Sequence, residues 1–97
     1  MMNVIARRNV MKASKKFGVS EEIGKWYQVA SKAEWVSIAD VKNSFPSADK
    51  VGNLLIFNIG HNRYRLVVRV DFAKRVMFFK GLMTHKEYDR GEWKIWK

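Results

Sequence analysis

Between positions 84 and 89 the chain reads Thr84-His85-Lys86-Glu87-Tyr88-Asp89, a run of polar and ionisable side chains that includes one phenol. Such a group can move protons. A histidine side chain, with its ordinary pKa of about 6.5, offers both protonation states near neutrality. A neighbouring aspartate can orient an imidazole or take up a proton. Upstream, Arg63, Arg65 and Arg69 fall at odd positions of one segment. The planar fork of arginine presents two donors to a phosphate and does not lose its charge. Simpler explanations stand beside these. A lone histidine near a strand end is more often a surface residue, which is how His61 is read. Tyr88 serves packing or capping equally well. Trp26, Tyr27 and Phe78 are explained as core by helical or strand spacing.

The elements that must position these residues follow from apolar periodicity. Met2 to Ala6 predicts a short strand. Arg7 to Phe17 predicts a helix with Val10, Ala13 and Phe17 on one face, Arg8, Lys12, Lys15 and Lys16 on the other, and Gly18 as its stop. A second helix opens at Ser20 as N-cap, with Glu21 and Glu22 in its first turn. Its apolar stripe is Ile23, Trp26, Tyr27 and Ala30. Ser37 and Asp40 have the spacing of a capping box and predict further helical turns, which end near Phe45 because Pro46 follows. After a polar loop, Ser47 to Asn53, the period changes to two. Three strands are predicted, Leu54 to Ile59, Tyr64 to Asp71 and Val76 to Met83, joined by turns at Gly60-His61-Asn62 and Phe72 to Arg75. Short connections imply an antiparallel meander with the helices packed on one face, an α+β fold. In the central strand Tyr64, Leu66, Val68 and Val70 face one way, and Arg63, Arg65, Val67, Arg69 and Asp71 the other. That second face reads as solvent rather than core. Arginines rising at about 6.6–6.8 Å per two residues match the phosphate spacing of a single nucleic-acid strand and make a candidate phosphate ladder. An ordinary solvent face explains the same pattern.

The whole chain is 97 residues, read as one domain over positions 1–97. With 47% hydrophobic residues it has enough apolar surface to offset the entropy of ordering. No apolar run approaches the roughly 20 residues of a membrane span and the start lacks a signal-peptide core, so the expected location is the cytosol, with no membrane partner. The absence of Cys excludes disulfides and thiolate chemistry, and two separated His make no metal cluster, so neither metal nor cofactor is expected. Nineteen Lys and Arg against nine Asp and Glu give a net charge of +10. Both ends are basic and residues 34–58 are not. Solvating surfaces usually mix the two signs more evenly, so the excess favours nucleic acid, without distinguishing RNA from DNA or a membrane surface.

Residues 57 to 71, Phe-Asn-Ile-Gly-His-Asn-Arg-Tyr-Arg-Leu-Val-Val-Arg-Val-Asp, followed by Met83 to Asp89, resemble the HigB-type toxins of the RelE superfamily. The likeness takes in Val4-Ile5-Ala6-Arg7, Phe45-Pro46-Ser47-Ala48-Asp49 and Val51-Gly52-Asn53, in order, over roughly positions 4 to 90. His61 departs from it, standing where a second glycine is expected. The tail from Gly91, ending in Trp93-Lys94-Ile95-Trp96-Lys97, is not covered. The resemblance implies a small RelE-like β-α-α-β-β-β fold and a ribosome-dependent messenger-RNA endoribonuclease that inhibits translation. It also implies neutralisation by a HigA-like helix-turn-helix antitoxin. Residue by residue, it implies that Arg65 holds the scissile phosphate and that His85 is a catalytic residue, with Tyr88 and Asp89 completing the motif. Arg8, Lys12, Lys15, Lys16, Arg63, Arg69 and Lys86 are the expected RNA-binding cations.

RNA brings its own nucleophile, the 2′-hydroxyl. Cleavage without a metal needs that proton removed, the phosphorane-like charge stabilised and the departing 5′-oxygen protonated, leaving a 2′,3′-cyclic phosphate. His85 suits the proton transfers and Arg65 the charge. Tyr88 can stack on or hydrogen-bond a splayed base or sugar. A non-catalytic RNA- or ribosome-binding module would use the same basic strand and aromatics, and cleavage separates the two. A regulatory subunit with a basic groove for an acidic protein segment is the third reading.

Overall fold

In the computed structural model, which describes residues 2–96, helices and strands form where the apolar period changes. The first strand, β1 (Asn3–Ile5), is shorter than expected because Ala6 turns into the left-handed region at φ 69°. Helix α1 (Arg7–Phe17) starts at once and ends at Gly18, whose φ of 71° costs glycine little. Helix α2 (Ser20–Lys32) differs from expectation at its start: Ser20 is its first helical residue and buried Val19 takes the cap position. The link is too tight for an extended cap residue, and the Val19 N–H donates to the Ser14 carbonyl at 2.8 Å. Helix α3 (Ile38–Ser44) stops before Phe45 as Pro46 requires. The reciprocal capping box is not formed there. Asp40 reaches one residue further back and accepts from the Val36 N–H at 2.9 Å.

The sheet has the order β1, β5 (Val76–Thr84), β4 (Tyr64–Asp71), β3 (Leu54–Ile59) and β2 (Asp49–Val51). Strands β3 (Leu54–Ile59), β4 (Tyr64–Asp71) and β5 (Val76–Thr84) form the expected meander. Two findings correct the expected antiparallel sheet. Strand β1 runs parallel to β5, so the sheet is mixed, and the long stretch of chain between them supplies the crossover a parallel pair requires. The segment read as a polar loop contains an edge strand, β2 (Asp49–Val51), paired with β3 around Gly52 and Asn53. Its polar, solvent-facing residues suit an edge and hide it from a search for apolar alternation.

Between Val67↔Gly81 and Val68↔Phe79 the register slips, leaving Lys80 as an unmatched residue. This bulge reverses the phase of β5: Met77 and Leu82 join the helix-side core, whereas Met83 packs on the opposite face. The strand therefore delivers the chain into the next segment from the face that carries Arg65.

On the helix side, Leu66, Val68 and Val70 pack with Val10, Ile23 and Trp26. The other face was expected to be solvent, and here the structure corrects the reading. Val67 is fully buried with Leu54, Ile56, Met83 and Trp93 in a second, smaller core. Trp93, in a 3-10 turn (Glu92–Trp96), covers them, and burying side chains of this size contributes about 1.5–3 kcal/mol each. Lys97, the last residue of the tail, lies outside the described residues. Among the described residues no helix is long and apolar enough to cross a membrane.

Candidate active site

The segment after β5 folds into a five-residue helix, α4 (His85–Asp89), because its sequence caps it. Thr84 Oγ1 accepts from the Glu87 N–H at 3.1 Å, and Glu87 Oε1 accepts from the Thr84 N–H at 3.0 Å. The hydrogen bond from the Thr84 N–H, followed by the influence of the Thr84 side chain, lowers the pKa of the Glu87 carboxyl. The Thr-x-x-Glu spacing was legible in the sequence as a capping box and was missed there. The His85 N–H donates to the Arg63 carbonyl at 3.0 Å, tying the start of α4 to the turn that opens β4.

Helical spacing puts His85, Tyr88 and Asp89 on one side of α4, at i, i+3 and i+4. His85 Nδ1 lies 2.9 Å from Asp89 Oδ2. With Nδ1 held by the carboxylate, Nε2 is the nitrogen left to meet a reacting group. Arg65 approaches from β4. Its Nη1 donates to the Asn62 and Tyr64 carbonyls at 2.9 and 3.1 Å, and its guanidinium carbon lies 5.6 Å from the Tyr88 ring centre. Among the described residues no carboxylate pairs with it. The cation is thus oriented by neutral groups and keeps its charge for an incoming anion.

Burial pushes the Tyr88 phenol above its usual pKa, the negative charges of Asp49 and Asp89 add to this, and Arg65 opposes it. The shift favours the protonated phenol, the form that is able to donate a hydrogen bond. One face of the ring stacks on Trp93, at 4.7 Å between centres and 8° between planes, and is not free for a base. Asp49 went unnoticed as a site residue. It lies on β2 opposite Ile56, and its charge reaches Tyr88 only once β2 is paired into the sheet.

The other expected cations separate into two groups. Arg8, Lys12, Lys15 and Lys16 are exposed along α1, and the charge of Lys16 reaches the Glu87 carboxylate on α4. Lys16 also lies 5.7 Å from the Phe17 ring, Phe17 packs on Tyr64 at 4.9 Å, and Arg63 sits 5.8 Å from the Tyr64 ring. The far end of the α1 stripe thus joins the turn beside the site. Lys86 is exposed on α4. Arg69 is apart: it lines a surface cleft of about 380 Å³ with Lys50, Asn53 and Phe78 at the other end of the sheet. The expected ladder is therefore interrupted, because buried Val67 separates Arg65 from Arg69 and Arg63 turns back to the Gly60 carbonyl, 3.1 Å from Nε.

His61 has φ 55° and Asn62 φ 70°, following Gly60 at φ 63°. Three left-handed residues in succession explain why a glycine suits position 61.

A family described as HigB_toxin, the RelE-like toxic component of a toxin-antitoxin system, matches residues 19–91. The chain is 40% identical over 52 residues to the mRNA interferase toxin HigB of Escherichia coli K12, covering 50% of each chain. The mRNA interferase HigB of Shigella flexneri matches to the same extent. That of Escherichia coli O6:H1 is 22% identical over 67 residues, 66% of this chain and 65% of the relative. The chain spans about half the length of the first two curated relatives it matches.

Proposed function

The chain belongs to the HigB toxin family, the RelE-like toxic component of a toxin-antitoxin system, and from that premise we propose that it is an endoribonuclease that cuts messenger RNA on the ribosome. The observation that supports this best is the Arg65 guanidinium, held by two backbone carbonyls and set over Tyr88 beside the His85–Asp89 pair. A phosphodiester seated on Arg65 meets a fixed positive charge where the phosphorane charge develops, the kind of stabilisation worth most in catalysis. Tyr88, kept protonated, donates a hydrogen bond to a non-bridging oxygen. His85 Nε2 carries one of the two protons, taking it from the 2′-hydroxyl or delivering it to the 5′-oxygen, with Asp89 fixing the ring, and solvent water accepts or supplies the other.

In the reaction the 2′-oxygen bonds to phosphorus and the bond to the 5′-oxygen breaks. The products are a 2′,3′-cyclic phosphate and a free 5′-hydroxyl, and no metal is needed. The basic stripe of α1, with Arg63 and Lys86, tracks phosphates of the message or the ribosome. A HigA-like helix-turn-helix antitoxin neutralises the toxin.

The test is primer extension on a defined message translated in a purified system, with end-group analysis of the products. Discrete cuts bearing 2′,3′-cyclic phosphate, abolished by the antitoxin, are expected. Ribosome binding without cuts would favour a non-catalytic binding module.

A further inference from the structure

The Tyr88 ring has a neighbour for which the proposed chemistry has no use. Trp93 lies two positions beyond the family-matched segment and is 3% exposed. Besides stacking on Tyr88, its Nε1–H donates to the Tyr88 carbonyl at 2.8 Å. The same carbonyl accepts from the Gly91 N–H at 3.0 Å, and Gly91 at φ 76° turns the chain so that the indole folds back. The indole also packs with Leu54, Ile56, Val67 and Met83.

A helix of five residues does not hold itself, because nucleation costs more than one turn of hydrogen bonds returns. The start of α4 is fixed by the Thr84–Glu87 capping box and the Arg63 carbonyl. At its end the Tyr88 carbonyl, already capped by the Gly91 N–H, takes a second hydrogen bond from the Trp93 indole, which ties the side chain of Trp93 to the end of the helix. The same residue presses its ring on the side chain that faces Arg65. Cover for Leu54, Ile56 and Val67 alone could come from any large apolar side chain. A parallel stack joined to a hydrogen bond into the backbone of the stacked residue is directional, and it acts on Tyr88 in particular.

We propose that Trp93 is a positioning residue for this site: by stacking on Tyr88 and holding the end of α4, it sets the phenol and the His85–Asp89 pair against Arg65. The C-terminal turn, outside the segment shared with the family, is then part of the working site. The consequence for rate rests on the nuclease reading, whereas the positioning itself belongs to the chain alone.

Two substitutions in the full chain separate positioning from cover. Trp93→Leu keeps an apolar lid but removes the ring and the N–H, while Trp93→Phe keeps a smaller aromatic ring and removes the N–H. With ribosomes in excess of a defined message, Trp93→Leu should slow single-turnover cleavage by roughly 10- to 100-fold, the scale expected of a misplaced catalytic group, with half-saturation within about threefold. Trp93→Phe should stay within about fivefold of the parent, since the stacked ring survives. In parallel, NMR of each chain without RNA should show the Tyr88 ring protons shifted by the indole ring current in the parent. In Trp93→Leu that shift should vanish and the His85 ring signals move, with the core methyls of Leu66 and Val68 unchanged. Cleavage by Trp93→Leu at the parental rate would overturn the proposal. So would unmoved His85 signals, or rate and affinity lost together with the core signals. If the parent itself does not cleave, the nuclease reading fails, and the NMR comparison alone decides whether Trp93 positions the site.

Discussion

Along β4 the two faces of the sheet are buried by different means. Leu66 and Val68 lie beneath helices from the first half of the chain, in a core that includes Val10, Ile23 and Trp26. Their neighbour Val67, on the other face, lies in a smaller cluster with Leu54, Ile56, Met83 and Trp93, and Arg65 and Arg69 flank it at the margins. A broad helical layer needs an unbroken apolar surface and leaves no place for a cation. A small lid needs only a few apolar side chains, so charge can stand beside a dry floor. Arg65 uses that margin: it is half-buried, oriented by carbonyls and open to an anion. The difference shows how one strand can bury its even positions under helices while its odd positions hold a cation beside a small dry patch at Val67.

The comparison would break most visibly at the outer margin. His85→Ala is expected to slow single-turnover cleavage by roughly 10²- to 10⁴-fold with ribosome affinity little changed, as for a lost proton carrier. Arg65→Ala is expected to cost about 10²- to 10³-fold in rate and to weaken binding as well, since the phosphate is held before and during the reaction. Both chains should melt close to the parent. If Arg65→Ala instead unfolds the protein, the division of labour along β4 is wrong.

On the inner face the opposite is expected. Leu66→Ala leaves a cavity beneath the helices and should lower stability by about 2–5 kcal/mol, read from denaturant midpoints. At temperatures where it remains folded, its cleavage rate should match the parent.

A smaller effect concerns α1. Replacing Lys12, Lys15 and Lys16 with Gln should flatten the dependence of log affinity on log salt by roughly two, at about 0.7 for each phosphate that is no longer neutralised, without changing the rate on bound message. An unchanged slope would remove the α1 stripe from the RNA or ribosome interface.

The smallest effect lies in the turn before β4. His61→Gly should stabilise the chain by about 0.5–1 kcal/mol, because the left-handed backbone at φ 55° strains a residue with a Cβ. Cleavage should stay within a few-fold of the parent, since His61 is exposed in the turn and none of the site's hydrogen bonds runs through its side chain. A loss of stability would mean that the imidazole contributes more than the strain it brings.

How much of this was readable in advance depended on the distance over which each feature is encoded. The apolar stripes of α1 and α2, the stop at Gly18, the end of α3 before Pro46 and the change of period at Leu54 are set by local sterics and spacing, so the sequence determined them. The grouping of Arg65 with His85, Tyr88 and Asp89 was also anticipated, but from the likeness of separated blocks to a family rather than from spacing. Other features needed residues far apart in the chain to meet. The parallel seat of β1 depends on β5, and the phase of β5 depends on a bulge that appears only when Lys80 is left unmatched beside β4. The influence of Asp49 on Tyr88 required β2 to pair at the sheet edge. Val67 looked solvent-exposed because alternation records only that its two sequence neighbours face the other way. It is buried among residues distant in sequence, from Leu54 and Ile56 to Met83 and Trp93, the last of them 26 positions later. Local periodicity determines which side chains share a face, whereas the identity of whatever covers that face is a property of the folded chain.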